Sequence, residues 1–199
     1  MRTIHLLLTV AVLLCLEMNA QVNEQTAEEF QRELNTQYKD PEESPLKKKA
    51  KFFKGHNFFP IDSTFRVKAK FVRTLNAIPF QMKTTGDRLP VYEKYGEAHF
   101  TIQGKELILS IYQGHAQRET EAYENHLSLP FTDKSNGYES YAGGRFVDLE
   151  IPNDDFIIID FNKSYNPYCA YTTGYSCVIP PAENDLDIKI LAGVMKPKK

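Results

Sequence analysis

The chain has 199 residues, 42% of them hydrophobic and 25% charged, with a formal net charge of −2. A single domain is the expectation at this length, and without a basic excess nucleic acid is not an expected partner. Tyrosine and phenylalanine are plentiful (11 and 13) while tryptophan is absent, so any aromatic surface must be built from smaller rings.

In chain order, Met1-Arg2 is a short positive start and residues 6–16 (LLLTVAVLLCL) form an apolar run too short to span a bilayer. With Asn19-Ala20 behind it, this is the layout of a secretory signal peptide over residues 1–20, cut after Ala20. A lipid-anchored reading would acylate Cys15 and needs a small residue before it, where Leu14 stands, so release is favoured. No later segment reads as membrane-spanning. The mature chain is expected to be soluble and exported, periplasmic or secreted.

Residues 21–45 are expected to hold one short helix and a linker. Thr26 and Glu29 have capping-box spacing, and Phe30 and Leu34 then share a face, which predicts a helix through about Tyr38, ended by Asp40-Pro41. Lys47-Lys48-Lys49-Ala50-Lys51 reads as a solvated face balanced by Glu42 and Glu43 rather than as an anion-binding patch.

Residues 46–195 read as one β-rich domain, with 196–199 as a tail. Arg66-Val67-Lys68-Ala69-Lys70-Phe71 alternates polar and apolar, as a half-buried strand does. Further strands are expected at 79–82, 89–95, 98–102, 106–113, 128–131, 146–150, 156–161 and 188–192. Gln103-Gly104 marks a tight hairpin. The unbroken apolar run Phe156-Ile157-Ile158-Ile159 predicts a strand buried on both faces at the centre of the sheet. The fold class expected is mainly β, an antiparallel barrel or sandwich with a short N-terminal helix.

An ordered set of motifs gives the chain a family resemblance. They are Phe53-Lys54-Gly55; Leu129-Pro130-Phe131 with Asp133; Tyr141-Ala142-Gly143-Gly144-Arg145-Phe146; Asp148-Leu149-Glu150; Asp160-Phe161-Asn162; Tyr165-Asn166-Pro167-Tyr168-Cys169-Ala170-Tyr171; and Tyr175-Ser176-Cys177 with Pro180-Pro181-Ala182-Glu183-Asn184. Over residues 44–193 the chain resembles the bacterial and archaeal family called domain of unknown function 1684. Two departures show: Val178 stands where proline is expected, and Val194 where the family tends to have an acid. The second argues against a functional carboxylate at that end. The resemblance implies no established activity.

Cys169 and Cys177 are the only cysteines after the signal, and in an exported chain they read first as a disulfide. A zinc pair, a reactive thiol pair and two inert thiols are weaker alternatives, because the spacing fits neither a structural zinc site nor a two-residue redox loop. His56, His99, His115 and His126 show no metal spacing, and no phosphate loop or nucleophile elbow is present, so neither a metal nor a cofactor is expected. His115 and His126 flank a charged loop that reads as solvated, or as a lid over a barrel mouth.

The remaining candidates cluster late in the chain. Arg145 after two glycines is the leading ligand contact, able to grip an anion with two parallel bonds, or else paired plainly with Asp148 or Glu150. Asp148, Asn162, Asn166, Glu183 and Asn184 would orient a ligand or network the fold, and Tyr165, Tyr168 and Tyr171 would give surface. The leading expectation is therefore a small ligand, anionic if Arg145 holds it, in a polar-aromatic pocket. One alternative is an envelope hydrolase or transferase with Glu183 or Asp160 as base and Arg145 on an oxyanion. Another is a structural or interaction module. The sequence sets no oligomeric state.

Overall fold

The computed structural model describes residues 25–198, so the signal-peptide reading of 1–20 lies outside the described residues. Helix α1 spans Ala27–Lys39 and starts as the capping box requires: Thr26 Oγ1 accepts from Glu29 N, and Glu29 Oε2 accepts from Thr26 N at 2.9 Å. The helix lies across the domain through Phe30, whose ring meets Tyr165, and through Gln31, which donates to Asn162 O. At its far end, fully buried Tyr38 packs with Phe53, His56 and Tyr171. Lys47, Lys48, Lys49 and Lys51 are exposed on a short 3-10 helix that buries only Ala50.

The body is a mainly antiparallel sheet curled into a half-barrel. Its long strands are β1 (Arg66–Arg73), β3 (Val91–Ile102), β4 (Lys105–Gly114), β5 (His126–Asp133), β6 (Arg145–Glu150) and β7 (Phe156–Asp160), in the order β6-β5-β4-β3-β1-β7. Short β2 (Phe80–Gln81) pairs β3, and β8 (Asp185–Leu186) runs parallel to β5. Helix α2 (His115–Arg118) follows β4. The β3–β4 hairpin turns at Gln103-Gly104, both with positive φ, the conformation a two-residue turn between twisted strands needs.

Alternation sends Ala98, Phe100, Leu109, Ile111, Leu127, Leu129 and Ile159 to the concave face, where Phe161, Ile190 and Ala192 close the core. A smaller cluster of Met82, Tyr92 and Tyr112 with Val178 covers part of the convex face.

Three sequence expectations are corrected. The strands expected at 89–95 and 98–102 are one strand, bent by a register shift between Lys94 and Gly96. Gly96 is required there: a Cβ would sit 2.5 Å from the Phe71 ring. Phe156–Ile159 is not central. Strand β7 pairs only with β1 and forms a sheet edge. Its outward Phe156 is half-exposed and shielded by Lys68, whose Nζ lies 4.2 Å from the ring centroid. Residues 188–192 have no strand partner, because their polar groups are bonded to residues 133, 134 and 145 instead.

Candidate functional site

The motif residues expected to bind a ligand divide into two sets. The first is buried and committed to the fold. Arg145 is 0% exposed. Its Nη2 donates to Asp133 Oδ2 and to Ile190 O, both at 2.7 Å, and its Nη1 donates to Ala192 O. The ring of Phe131 lies 5.1 Å from the guanidinium carbon. Burial pulls the Arg145 pKa down, and the Asp133 charge opposes that shift. The expected pairing with Asp148 or Glu150 fails by parity: residues an odd number apart on one strand point to opposite faces. Arg145 points inward with Asp133, and Asp148 points outward. Three of its four terminal N–H groups are thus committed to the fold, and the guanidinium lies wholly out of contact with solvent. The glycines before it serve packing: Gly144 has φ +88, and a Cβ there would sit 2.5 Å from Pro180 and 2.8 Å from Phe131 O.

Asn184 is equally buried. Strands β4 and β5 are paired only at Tyr112↔Ser128, and Pro130 contributes no N–H nearby. The Asn184 carboxamide fills the gap as a piece of backbone would. Its Oδ1 accepts from Ser110 N, and its Nδ2 donates to Ser110 O and Pro130 O, at 2.7–2.8 Å. Pro180-Pro181 stiffens the approach and a short 3-10 turn, Ala182–Asn184, delivers the side chain. Asn162 clasps Asp62 in the same manner, accepting from its N and donating to its O. Asn166 donates to Tyr171 Oη and Met195 O. Asp160 spends Oδ1 on Asn162 N and Nδ2. The Cys169–Cys177 disulfide is formed, and Thr85 clips it to the body through Cys177 O and Cys177 N.

The second set faces solvent around Asp148. Its Oδ1 accepts from Tyr165 Oη at 2.8 Å and from His126 Nε2 at 3.0 Å, while its side chain stays 48% exposed. Three elements meet there. Strand β6 presents Asp148 outward, and β5 presents His126 outward, diagonally across the ladder in which Ser128 faces Asp148 and Glu150 faces His126. Tyr165 comes from the far side, held by an isolated bridge to Phe146 and by stacking on the Phe146 ring at 6.0 Å. Tyr123 sets its ring edge-on to His126.

Burial first, and the Asp148 charge second, hold the Tyr165 phenol protonated far above its ordinary range, so it donates at neutral pH. Tyr92 and Tyr168 are raised chiefly by burial too, and both lie within electrostatic reach of Asp148. Asp148 therefore stands half-exposed, bonded to one phenol and one imidazole with two further phenols within electrostatic reach. It lies on a groove of about 840 Å³ between the facing edges of β6 and β7. Glu121, Glu124, Glu150, Asp154 and Asp160 also line that groove, against Lys163 and His126. The surroundings are acidic, and they favour ligands that donate hydrogen bonds or carry positive charge.

Of the other expected contacts, Tyr168 is 37% exposed beside this cluster, whereas Tyr171 packs against Tyr38 and His56. Glu183 accepts from Tyr112 Oη at 2.7 Å on the convex face. Sequence reasoning missed His126, Tyr123 and Tyr92. The outward alternation of His126 with Ser128 and Pro130 was the available signal for His126. Among the described residues no group of three His, Cys, Asp or Glu side chains is placed to hold a metal, and no helix is long and apolar enough to cross a membrane.

The chain has relatives among protein families and solved structures. The family model described as protein of unknown function (DUF1684) matches residues 51–195. No curated protein matches. Among solved structures, the chain is similar to the solution NMR structure of an uncharacterized protein from Haloarcula marismortui, with 29% identity and a TM-score of 0.64. That match covers 83% of this chain and 89% of the other.

Proposed function

The chain belongs to the DUF1684 family, and from that premise we propose that it is an exported, soluble binding domain for a small molecule, with its site at Asp148. Export rests on the N-terminal charge and hydropathy pattern and on the disulfide, a bond typical of oxidising compartments. The observation that carries the binding reading is the Asp148 carboxylate. It is half-exposed, yet oriented by two donors, on a groove that Tyr123 also lines. Orienting an exposed carboxylate with two side chains gains little for stability, since such bonds form in high dielectric. Their fixed geometry instead serves recognition.

The ligand class follows from charge. Arg145 is buried, and five carboxylates besides Asp148 line the groove against Lys163 and His126. Asp148 takes an amine or a pair of hydroxyls, and Tyr123, which lines the groove, offers an apolar ring. Amino sugars and small polyamines fit this description. The test is thermal unfolding of the wild type and of Asp148→Asn with glucosamine, spermidine and citrate. Stabilisation of the wild type by either cation, lost in Asp148→Asn, supports the reading. Stabilisation by citrate, or an effect that survives the substitution, refutes it.

A further inference from the structure

The largest exposed aliphatic side chains of the described residues lie together in the connection between β1 and β2. Leu75 is 79% and Ile78 84% exposed. The connecting residues, Thr74-Leu75-Asn76-Ala77-Ile78-Pro79, carry no charge. Asn76 turns the chain with a positive φ of 56°, and Thr74 N is tied to Tyr95 O at the base. The result is a short apolar tip on a braced stem. Val72 is also exposed beside it, on the outward face of β1.

The stretch of chain that carries this tip is basic, although Arg66 pairs with Asp160 and Glu97 lies across from Val72. Residues 66–86 contain Arg66, Lys68, Lys70, Arg73 and Lys83, and no acid. The chain as a whole carries −2, and this stretch is one of its basic runs beside the lysines of residues 47–51. Arg73 is held at the stem, donating to Thr74 O and Tyr95 O and pairing with Glu93 at 3.5 Å. Glu93 is shared with Arg118 and His115, and nearby Glu97 is taken by Lys94. Lys70 and Lys83 are exposed, and among the described residues neither has a carboxylate partner.

We propose that the loop 74–79 is a membrane-contacting finger, seating Leu75 and Ile78 in the interface of an anionic bilayer while the basic residues behind it meet lipid headgroups. An exposed apolar patch rimmed by polar residues marks an interaction site, and interfacial insertion covers such a tip without a shaped pocket. Basic residues next to the inserted tip are attracted to an anionic leaflet over about one Debye length, roughly 8–10 Å at physiological salt. A second copy of the chain fits less well. A two-fold contact would set the same basic stretch against itself. The contact is peripheral and independent of the Asp148 site.

The absence of tryptophan makes the test direct. Ile78→Trp is introduced as the sole tryptophan in the chain from Gln21 to Lys199, which contains every described residue. Tyr138→Trp, at another exposed position outside the loop, is the control. Both are titrated with phosphatidylglycerol–phosphatidylcholine vesicles and with pure phosphatidylcholine vesicles. The expected result is a blue shift of Ile78→Trp emission on anionic vesicles only, none for Tyr138→Trp, and weakening by 0.5 M salt. In sedimentation, Leu75→Ser/Ile78→Ser should bind the anionic vesicles at least tenfold more weakly than the unsubstituted chain. The proposal is overturned by an unshifted Ile78→Trp, by equal sedimentation of the serine variant, or by a dimer in solution that the serine variant abolishes.

Discussion

Replacing Asn184 by alanine probes how the half-barrel holds β4 to β5. The carboxamide makes three buried bonds of 2.7–2.8 Å, to Ser110 N, Ser110 O and Pro130 O. The residue is 0% exposed, so water cannot replace those partners without opening the sheet. Each stranded buried group costs about 1–3 kcal/mol. Some relaxation is available to the carbonyls, which places the total at about 3–5 kcal/mol. For a domain of this size 1 kcal/mol moves Tm by about 2–4 °C, so a drop of roughly 10 °C is expected. Asn184→Asp should do no better, because an ionised carboxylate would face two carbonyl oxygens. The assay is thermal and urea unfolding followed by circular dichroism, with amide exchange at Ser110 as the local readout. A loss under 1 kcal/mol with unchanged exchange at Ser110 would refute the reasoning.

Three further outcomes are expected. Arg145→Ala should cost about 3–5 kcal/mol, because it leaves Asp133 buried without its partner. Arg145→Lys should recover only part of that in urea unfolding, since one ammonium cannot reproduce the guanidinium fork. His56, caged by Tyr38, Phe53, Phe58 and Tyr171, has its pKa lowered by burial to about 4. The unfolded chain then takes up that proton first, so stability is complete above about pH 6.5 and is lost as pH falls toward 4. Between pH 6.5 and 4.5 the wild type should lose about 2–3 kcal/mol more than His56→Phe, measured by urea unfolding. Reducing Cys169–Cys177 should lower stability by about 2.5 kcal/mol, from closure of so short a loop, while the far-ultraviolet circular dichroism stays unchanged.

What the sequence revealed follows from which interactions are local. The capping box at Thr26 and Glu29 and the hairpin at Gln103-Gly104 depend on residues within a few positions, and each formed where its pattern stood. The disulfide follows from having only two cysteines after the expected signal. Strand alternation marked Val67, Ala69 and Phe71 as the inward face of β1. Errors arose where partners are distant or a pattern has two causes. The run 156–159 is apolar because Ile157 and Ile159 enter the core while Phe156 is covered by Lys68, not because β7 is central. Residues 188–192 look strand-like because extended backbone is what Arg145 and Asp133 bind. Arg145 drew the ligand reading because an arginine after two glycines can serve an anion. Its real partner, Asp133, sits diagonally on the next strand, and only register shows that. Asp148 stands out in the sequence only through the motif Asp148-Leu149-Glu150. Its partners His126 and Tyr165 come from β5 and from a segment beyond β7, a meeting no spacing encodes.

The most direct test of where this protein binds is a backbone amide NMR map of the mature chain titrated with glucosamine. The account predicts shifts at residues 123–126, 147–150 and 165–168 in the wild type, absent in Asp148→Asn. Shifts centred instead on Arg145, Asn162 and Asn184, with the Asp148 region silent, would contradict it.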